Sequence, residues 1–326
     1  RKFLFAYHLE NKNVFFSTKI TDRSRLLFRR NIVERIRHLA PFLQLDETPY
    51  TAVTPKGIYF IVDAYTTSSY YPAAAPQQLG DNTFNYMRNS IKIVVDAYHG
   101  SVDFYLSDPD DPIARAYARI YPGLIKPLEA LPEALRGHLR YPKDFFAVQM
   151  QIYAKYHQTD PRVFYQQEDL WTFPTRLETE NTVPLRPYYV TLDLIAPPRM
   201  DFMLLLPMFP KKRDNLRAMA IAGCDPESYG KLVIYNFPKG ELVYGPAQID
   251  ALINQDPDIA EQFTLWDQAG SQIVRGKMII LPVGHTVLFI QPVYLKATSR
   301  VKIPELQRII MSEGSVVVME KSVQRA

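Results

Sequence analysis

The chain has 326 residues, 47% hydrophobic and 22% charged, with a formal net charge of +4. That much apolar content with so little net charge excludes a disordered chain and is enough for one large core or two ordinary ones. So mild a balance does not identify nucleic acid as a partner, a reading that wants a concentrated basic face, and the single cysteine, Cys224, excludes an intrachain disulfide and a thiolate metal cluster.

The chain opens at Arg1, with neither an initiator Met nor a signal peptide, and reads as an internal cut with room for a targeting or membrane segment upstream. The stretch "FLFAYHLENKNVFFSTKI" from Phe3 predicts a hairpin turning at Asn11-Lys12-Asn13. A helix is predicted from Arg23, capped by Thr21 or Asp22 and ended by Pro41, with Leu26, Phe28, Ile32, Val33, Ile36 and Leu39 at helical spacing. Its Arg29, Arg30, Arg35 and Arg37 suit either an anionic surface or a solvated helix face.

Two strands follow in "GIYFIVDAY" and "IKIVVDAYHGSVDFYL", the second folding back at His99-Gly100. Asp111 to Asp169 reads as helical and punctuated by proline. From Pro187 the chain reads as β-rich, with hairpins predicted around Pro197-Pro198, Pro238-Lys239-Gly240 and Ser312-Glu313-Gly314. "RDNLRAMAIAG" and "PAQIDALINQDPDIAEQF" are the two helices expected there. The most apolar run, Met278 to Leu295, carries Pro282, Gly284, His285, Gln291 and Pro292, so two short strands around a Gly-His turn suit it better than a spanning helix. The pattern predicts an α+β fold of mainly antiparallel sheet, built from hairpins with helices packed on it. The polar stretch Arg176–Pro187 is the expected joint between a subdomain at 1–180 and one at 181–326.

Val-Asp-Ala-Tyr occurs twice, at Asp63 and at Asp96. In a strand alternate residues share a face, so Asp63 lies with Tyr59 and Tyr65, and Asp96 with Lys92 and Tyr98. If the two strands pair, the carboxylates could meet, raising one pKa or recruiting a cation. Otherwise each Asp is held by a neighbour such as Arg88 or by turn amides. Asp63, Tyr65, Arg88, Asp96 and Tyr98 are therefore the candidate ligand or structural polar sites.

Other constellations lose their chemistry on inspection. Asp108, Asp110 and Asp111 lack the spacing of a calcium loop, and Asp111 followed by Pro112 reads as a helix cap. Gly270 to Gly276 has one residue too many for a phosphate loop, and Met278 stands where Ser or Thr is needed. His138 and His157 have no partner at ligand spacing. Cys224 reads as a small buried residue, and the 21 tyrosines suit a core as well as a groove. No catalytic, cofactor-binding or metal-binding residue is assigned.

Taken in order, "SRLLFRRNIVERI", "YFIVDAYTTSSYYP", "NYMRNSIKIVVDAYHGSVDFY", "HLRYPKDFFAVQMQIYAKYH", "YGKLVIYNFPK" and "LWDQAGSQIVRGKMIILPV" resemble uncharacterised protein family 0182, from about Arg23 to near Ile310. The resemblance implies a block of N-terminal transmembrane helices followed by a large soluble region, which this chain would be, beside the membrane on its extracytoplasmic side. It transfers no catalytic residue. Together with the lack of a catalytic signature and the abundance of tyrosine, that layout leads to the expectation of a binding or assembly module for envelope assembly or transport. The expected partners are the protein's own transmembrane block and a lipid, an envelope glycan or another envelope protein, but no nucleic acid. The alternative is a hydrolase or metal-dependent enzyme acting on an envelope polymer through Asp63 and Asp96.

Overall fold

A computed structural model describes residues 1–24, 28–173, 175–178, 181–211, 213–238, 240, 242–268, 271–284, 286–297 and 303–325. Of 175–178, 181–184 and 268 it describes the backbone. The chain starts with two short helices, α1 (Lys2–His8) and α2 (Lys12–Phe16), where a hairpin was predicted. Asn11 is the reason. Its side chain accepts from the Asn13 N–H at 3.0 Å and so caps α2, the same short-range chemistry that would have made a turn. The next helix, α3 (Ile32–Leu39), is also a correction. It starts behind Asn31, which accepts from the Glu34 N–H at 3.1 Å, rather than at Arg23. Arg29 and Arg30 lie before it, and residues 25–27 are outside the described residues. The end before Pro41 is as predicted.

The first sheet is built from β1 (Gln44–Leu45), β2 (Tyr50–Thr54), β3 (Gly57–Ser68), β6 (Tyr86–Asp96), β7 (Val102–Leu106) and β8 (Ile125–Pro127). A small separate hairpin, β4 (Gln77–Leu79) with β5 (Asn82–Phe84), is inserted before β6. Strand order is β1-β3-β6-β7-β8, with β2 also on β3. Every pair is antiparallel except β7–β8, whose crossover carries α4 (Pro112–Ile120). The hairpin at His99-Gly100 is as predicted. Gly100 has φ +69°, and a Cβ there would collide with the Arg35 guanidinium, which donates to the Gly100 carbonyl at 2.5 Å.

Alternation along β3 and β6 covers both faces of this sheet. Val62, Ala64, Ile93 and Val95 pack against Ile36 of α3 and Ala114 of α4. Ile61 and Val94 pack on the other side against Leu131 and against Leu135 of α5 (Glu133–Arg136).

Then come α6 (Lys143–Tyr156), α7 (Pro161–Gln166), β9 (Trp171–Thr172), and a hairpin of β10 (Thr175–Glu178) with β11 (Asn181–Pro184) in the stretch expected as the joint. Residues 179–180 of that stretch are outside the described residues. The second sheet runs β12 (Tyr188–Ala196), β13 (Arg199–Pro210), β14 (Ala218–Gly223), β15 (Leu232–Asn236), with β9 beside the end of β13. "RDNLRAMAIAG" is thus the strand β14 and the turn before it, not a helix. Its alternation explains this. Ala218, Ala220 and Ala222 face Phe146 and Met150 of α6, while Met219 and Ile221 face the opposite core. Alanine favours helices on its own, but here it supplies the small surface that lets α6 lie close.

The third sheet follows α8 (Pro246–Gln255) and α9 (Pro257–Gln268), which break at Asp256 within the predicted helical stretch. It comprises β16 (Ser271–Arg275), β17 (Ile279–Val283), β18 (Thr286–Ala297), β19 (Pro304–Glu313) and β20 (Val316–Glu320), with β16 and β17 both on β18. β17 and β18 are the two strands predicted around Gly284, and His285 lies outside the described residues. "ELVYG" is corrected: Leu242 to Gly245 form no strand, and Glu241 is outside the described residues. The second sheet is the middle layer. One face receives α6, and Met203, Leu205 and Ile221 on the other meet Ile249 of α8 and Ile280, Phe289 and Val293 of the third sheet. The fold is α+β with mainly antiparallel sheets. No helix among the described residues is long and apolar enough to cross a membrane.

Candidate functional site

The β3–β6 pairing decides the fate of the repeated aspartates. Tyr59 lies opposite Asp96, and Asp63 lies opposite Lys92. Asp63 and Asp96 share a sheet face as expected, but four positions along the ladder separate them by about 13 Å. They form no carboxylate pair. Asp96 ends β6, where its Oδ1 accepts from the Tyr98 and His99 N–H groups at 2.8 and 2.5 Å and shapes the turn. Tyr98 points to solvent, 84% exposed. Arg88 is held away from both aspartates by Asp108, at 2.6 Å.

Asp63 is buried and bonded to the equally buried Lys92. The Asp63 Oδ1 also accepts from the Asn89 amide at 3.2 Å. The Lys92 ammonium donates onward to the Tyr229 hydroxyl at 2.7 Å and the Arg140 carbonyl at 3.2 Å. Burial pulls the Lys92 amine down, but Asp63 and the nearby Tyr229 and Tyr50 more than reverse this, and it ends above its ordinary value. Burial raises the Asp63 carboxyl, an effect that Lys92 opposes. A charged pair in this setting needs its remaining hydrogen bonds satisfied. Tyr229, from the turn between β14 and β15, therefore ties the second sheet to the first. Arg140 adds to the joint by lying 4.5 Å from the Tyr50 ring and 5.3 Å from that of Tyr189. A hollow of about 330 Å³ reaches Lys92, Tyr229 and Cys224.

Tyr65 belongs to a second buried cluster. Pro142 sits at the N-cap of α6 and has no side chain to cap it. Asp46, almost a hundred residues earlier, takes that role, its Oδ2 accepting from the Asp144 N–H at 3.3 Å and the Tyr65 hydroxyl at 2.5 Å. Its Oδ1 accepts from the backbone and side chain of Thr48 at 2.9 and 2.7 Å. Asp144 in turn accepts from the Glu47 N–H at 3.1 Å. Burial, then the Asp46 charge, pushes the Asp144 carboxyl up to about 6.

Asp111 forms the third cluster, as the predicted cap of α4. It accepts from the hydroxyls of Thr66 and Ser90, both at 2.5 Å, and of Tyr86 at 2.8 Å, besides two helix N–H groups. Burial works against the anion, yet these donors hold the carboxyl below its ordinary value. Cys224 is buried as expected, its thiol pushed up to about 11 by burial. His157 stacks on Trp171 at 3.8 Å. Among the described residues no three His, Cys, Asp or Glu side chains are placed to hold a metal ion.

A groove of about 1180 Å³ lies between α6, β12 and the third sheet. Ala147 and Tyr189 line one wall, and Met278, Ile279 and Leu281 the other. Tyr188 fastens the walls together. Its hydroxyl donates to the Ile280 carbonyl at 2.6 Å and accepts from the Ile280 N–H at 3.2 Å. Lys143, Arg186 and Lys277 bring positive charge to the groove. Arg186 pairs with Glu47 at 2.8 Å. Lys143 lies over the Tyr189 ring at 4.8 Å, and among the described residues neither it nor Lys277 has a carboxylate partner. Burial, then Lys277, lowers the Lys143 amine below its ordinary value.

Lys92, Tyr229, Asp46, Asp144, Lys143 and Lys277 were not found by sequence reasoning. Lys92 carried a signal. A lysine inside "IKIVV" requires a buried anion, and Asp63 is the one aspartate inside the other apolar strand of the same pattern. The others meet through separations of about a hundred residues or more, which no local spacing encodes.

A model of an uncharacterised protein family, number 0182, matches residues 1–266. Among the relatives, a family 0182 protein of Syntrophobacter fumaroxidans is 60% identical over 326 residues, all of this chain and 37% of the relative. One from Nitrosococcus oceani is 54% identical over 335 residues, covering 100% of this chain and 38% of the relative. One from Geobacter sulfurreducens is 48% identical over 327 residues, again 100% of this chain and 36% of the relative. The chain thus spans somewhat over a third of the length of these curated relatives. No solved structure matches it. On the match over residues 1–266 and these identities, the chain belongs to uncharacterised protein family 0182.

Proposed function

We propose that this chain is a binding module, the soluble extracytoplasmic part of a multi-spanning membrane protein, and that it serves envelope assembly or transport through a ligand held in the groove. The observation that carries the reading is the groove itself: a large, mainly apolar concavity with two cations, Lys143 and Lys277, that have no carboxylate partner among the described residues. Convergent charge in an apolar hollow is the usual form of a ligand site. The buried carboxylates, by contrast, have structural employment. Asp63 neutralises Lys92, Asp46 caps α6, and Asp111 caps α4. A separation of about 13 Å between Asp63 and Asp96 also exceeds the roughly 5–9.5 Å that paired carboxylates use in glycoside hydrolysis. The membrane setting rests on the family resemblance, which implies a transmembrane block elsewhere in the full-length protein as this module's first partner.

The compartment is tested by a single exposed cysteine. Tyr98 is 84% exposed, and the native Cys224 is buried with a raised pKa, so it gives little background. Tyr98→Cys is placed in the full-length protein, with any cysteine outside this region changed to serine. A membrane-impermeant maleimide is expected to label it in intact spheroplasts. Labelling only after lysis would overturn the extracytoplasmic placement.

A further inference from the structure

The groove's lining narrows the class of ligand, on the reading that the groove is the binding site. Positive and apolar side chains both line it. The positive side chains gather near the start of α6, where Lys143 and Arg186 stand, with Lys277 on the facing segment. Apolar side chains, among them Leu206, Met278, Ile279 and Leu281, supply the rest. Of the three tyrosines that line it, two have their hydroxyls committed to backbone, Tyr188 to Ile280 and Tyr189 to the Tyr141 carbonyl at 2.9 Å. These two offer the ligand no free hydroxyl. A site that reads a sugar needs several free polar groups, because an unpaired hydroxyl is costly to bury. Here the uncharged polar side chains besides those two tyrosines are Thr48, Gln78, Gln151 and Tyr294. The volume, about 1180 Å³, exceeds the roughly 300–1,000 Å³ of ordinary small-molecule pockets.

The cations give the end at which charge must lie. Lys143 is half-buried, and its amine is disfavoured first by burial and next by Lys277. Neighbouring positive groups in a partly desolvated wall are relieved by an anion between them. From this we infer that the groove takes an anionic amphiphile, one hydrocarbon chain ending in a phosphate or carboxylate, with the anion between Lys143 and Lys277 and the chain along Met278, Ile279 and Leu281.

The test is calorimetric titration of the purified protein with dodecyl phosphate below its micelle-forming concentration. Inorganic phosphate and the neutral amphiphile dodecyl maltoside are titrated in parallel. Dodecyl phosphate is expected to bind at least about tenfold more tightly than either, since it alone supplies both the charge and the chain. The double variant Lys143→Met/Lys277→Met is expected to weaken dodecyl phosphate by about tenfold or more and to leave dodecyl maltoside unchanged. Ala147→Trp on one wall should block binding. Met278→Trp on the other repeats the block if the helix variant fails to fold, with thermal unfolding as the check on both.

Equal binding of the charged and neutral amphiphiles, insensitive to the lysine variants, would overturn the anionic assignment while leaving the groove as an apolar site. Equal binding of inorganic phosphate would overturn the role of the hydrocarbon chain. Binding that survives both tryptophan variants, or no binding at all, would overturn the inference outright. The Tyr98→Cys labelling reads the compartment by itself, so its outcome and this one fail separately.

Discussion

The Lys92 ammonium meets the Asp63 carboxylate across the β3–β6 pairing, with side chains only 1% and 3% exposed. The pair sits where Tyr229 and Arg140 join the first sheet to the second, so it couples two layers rather than stabilising one strand.

Lys92→Met should cost about 3–5 kcal/mol, because it leaves a buried carboxylate without its counter-charge. Lys92→Met combined with Asp63→Leu removes both charges and should recover most of that loss. Urea unfolding of the two single variants and the double variant measures the coupling. Simply additive losses would show that the two charges do not act as a pair.

Asp144 gives the fold a pH dependence whose sign follows from its raised pKa. Its carboxyl moves from an ordinary 3.8 to about 6 when the chain folds. The folded state therefore holds the proton more tightly, so this contribution is complete below pH 3.8 and is lost as pH rises through about 6. The size is on the order of 3 kcal/mol. Asp144→Asn keeps an oxygen for the Glu47 N–H and removes the titration. Its stability relative to the parent should rise between pH 4 and 7, measured by denaturant unfolding at a series of pH values. A constant difference across that range would contradict the assignment.

Asp111 titrates in the opposite sense. Its lowered pKa means that its contribution is present above the unfolded value and is lost as pH falls through the folded one. Asp111→Ala removes a helix cap, worth about 1 kcal/mol, and leaves the hydroxyls of Thr66 and Ser90 with only each other, 3.3 Å apart, in a buried site. A loss above about 2 kcal/mol is expected in chemical denaturation. Asp111→Asn, which keeps one acceptor oxygen, should cost less than half as much. Equal losses would show that one retained oxygen does not replace the carboxylate.

Tyr188→Phe should cost about 1–3 kcal/mol, since both Ile280 backbone groups lose their partner on the edge of β17. Hydrogen exchange should rise at Ile280 and its neighbours in β17 while the first sheet stays protected. Uniform acceleration across all three sheets would mean that this hydroxyl is not a local fastening.

Much of the β framework was legible because strand alternation is a local signal. The strands containing Asp63 and Asp96, their shared face, the turn at Gly100 and the Asp111 cap are all written within a few residues. Errors arose where one chemistry serves two structures. Asn11 caps a helix with the same bond that closes a turn, and the alanines of β14 favour a helix until α6 is placed against them. The candidate site was less legible still. Register decides whether Asp63 faces Asp96 or Lys92, and register depends on how the turns and bulges accumulate. The bulge between Ala64 and Thr66 adds a shift that no alternation rule shows. Lys143 and Lys277 meet at the groove only because three layers fold together.

The most direct measurement is native mass spectrometry of the protein purified gently from bacterial cells, run beside its Ala147→Trp variant. The expected result is a bound anionic amphiphile on the parent protein and none on the variant. A parent protein that carries no such ligand, or a variant that carries the same one, would contradict the groove as the binding site.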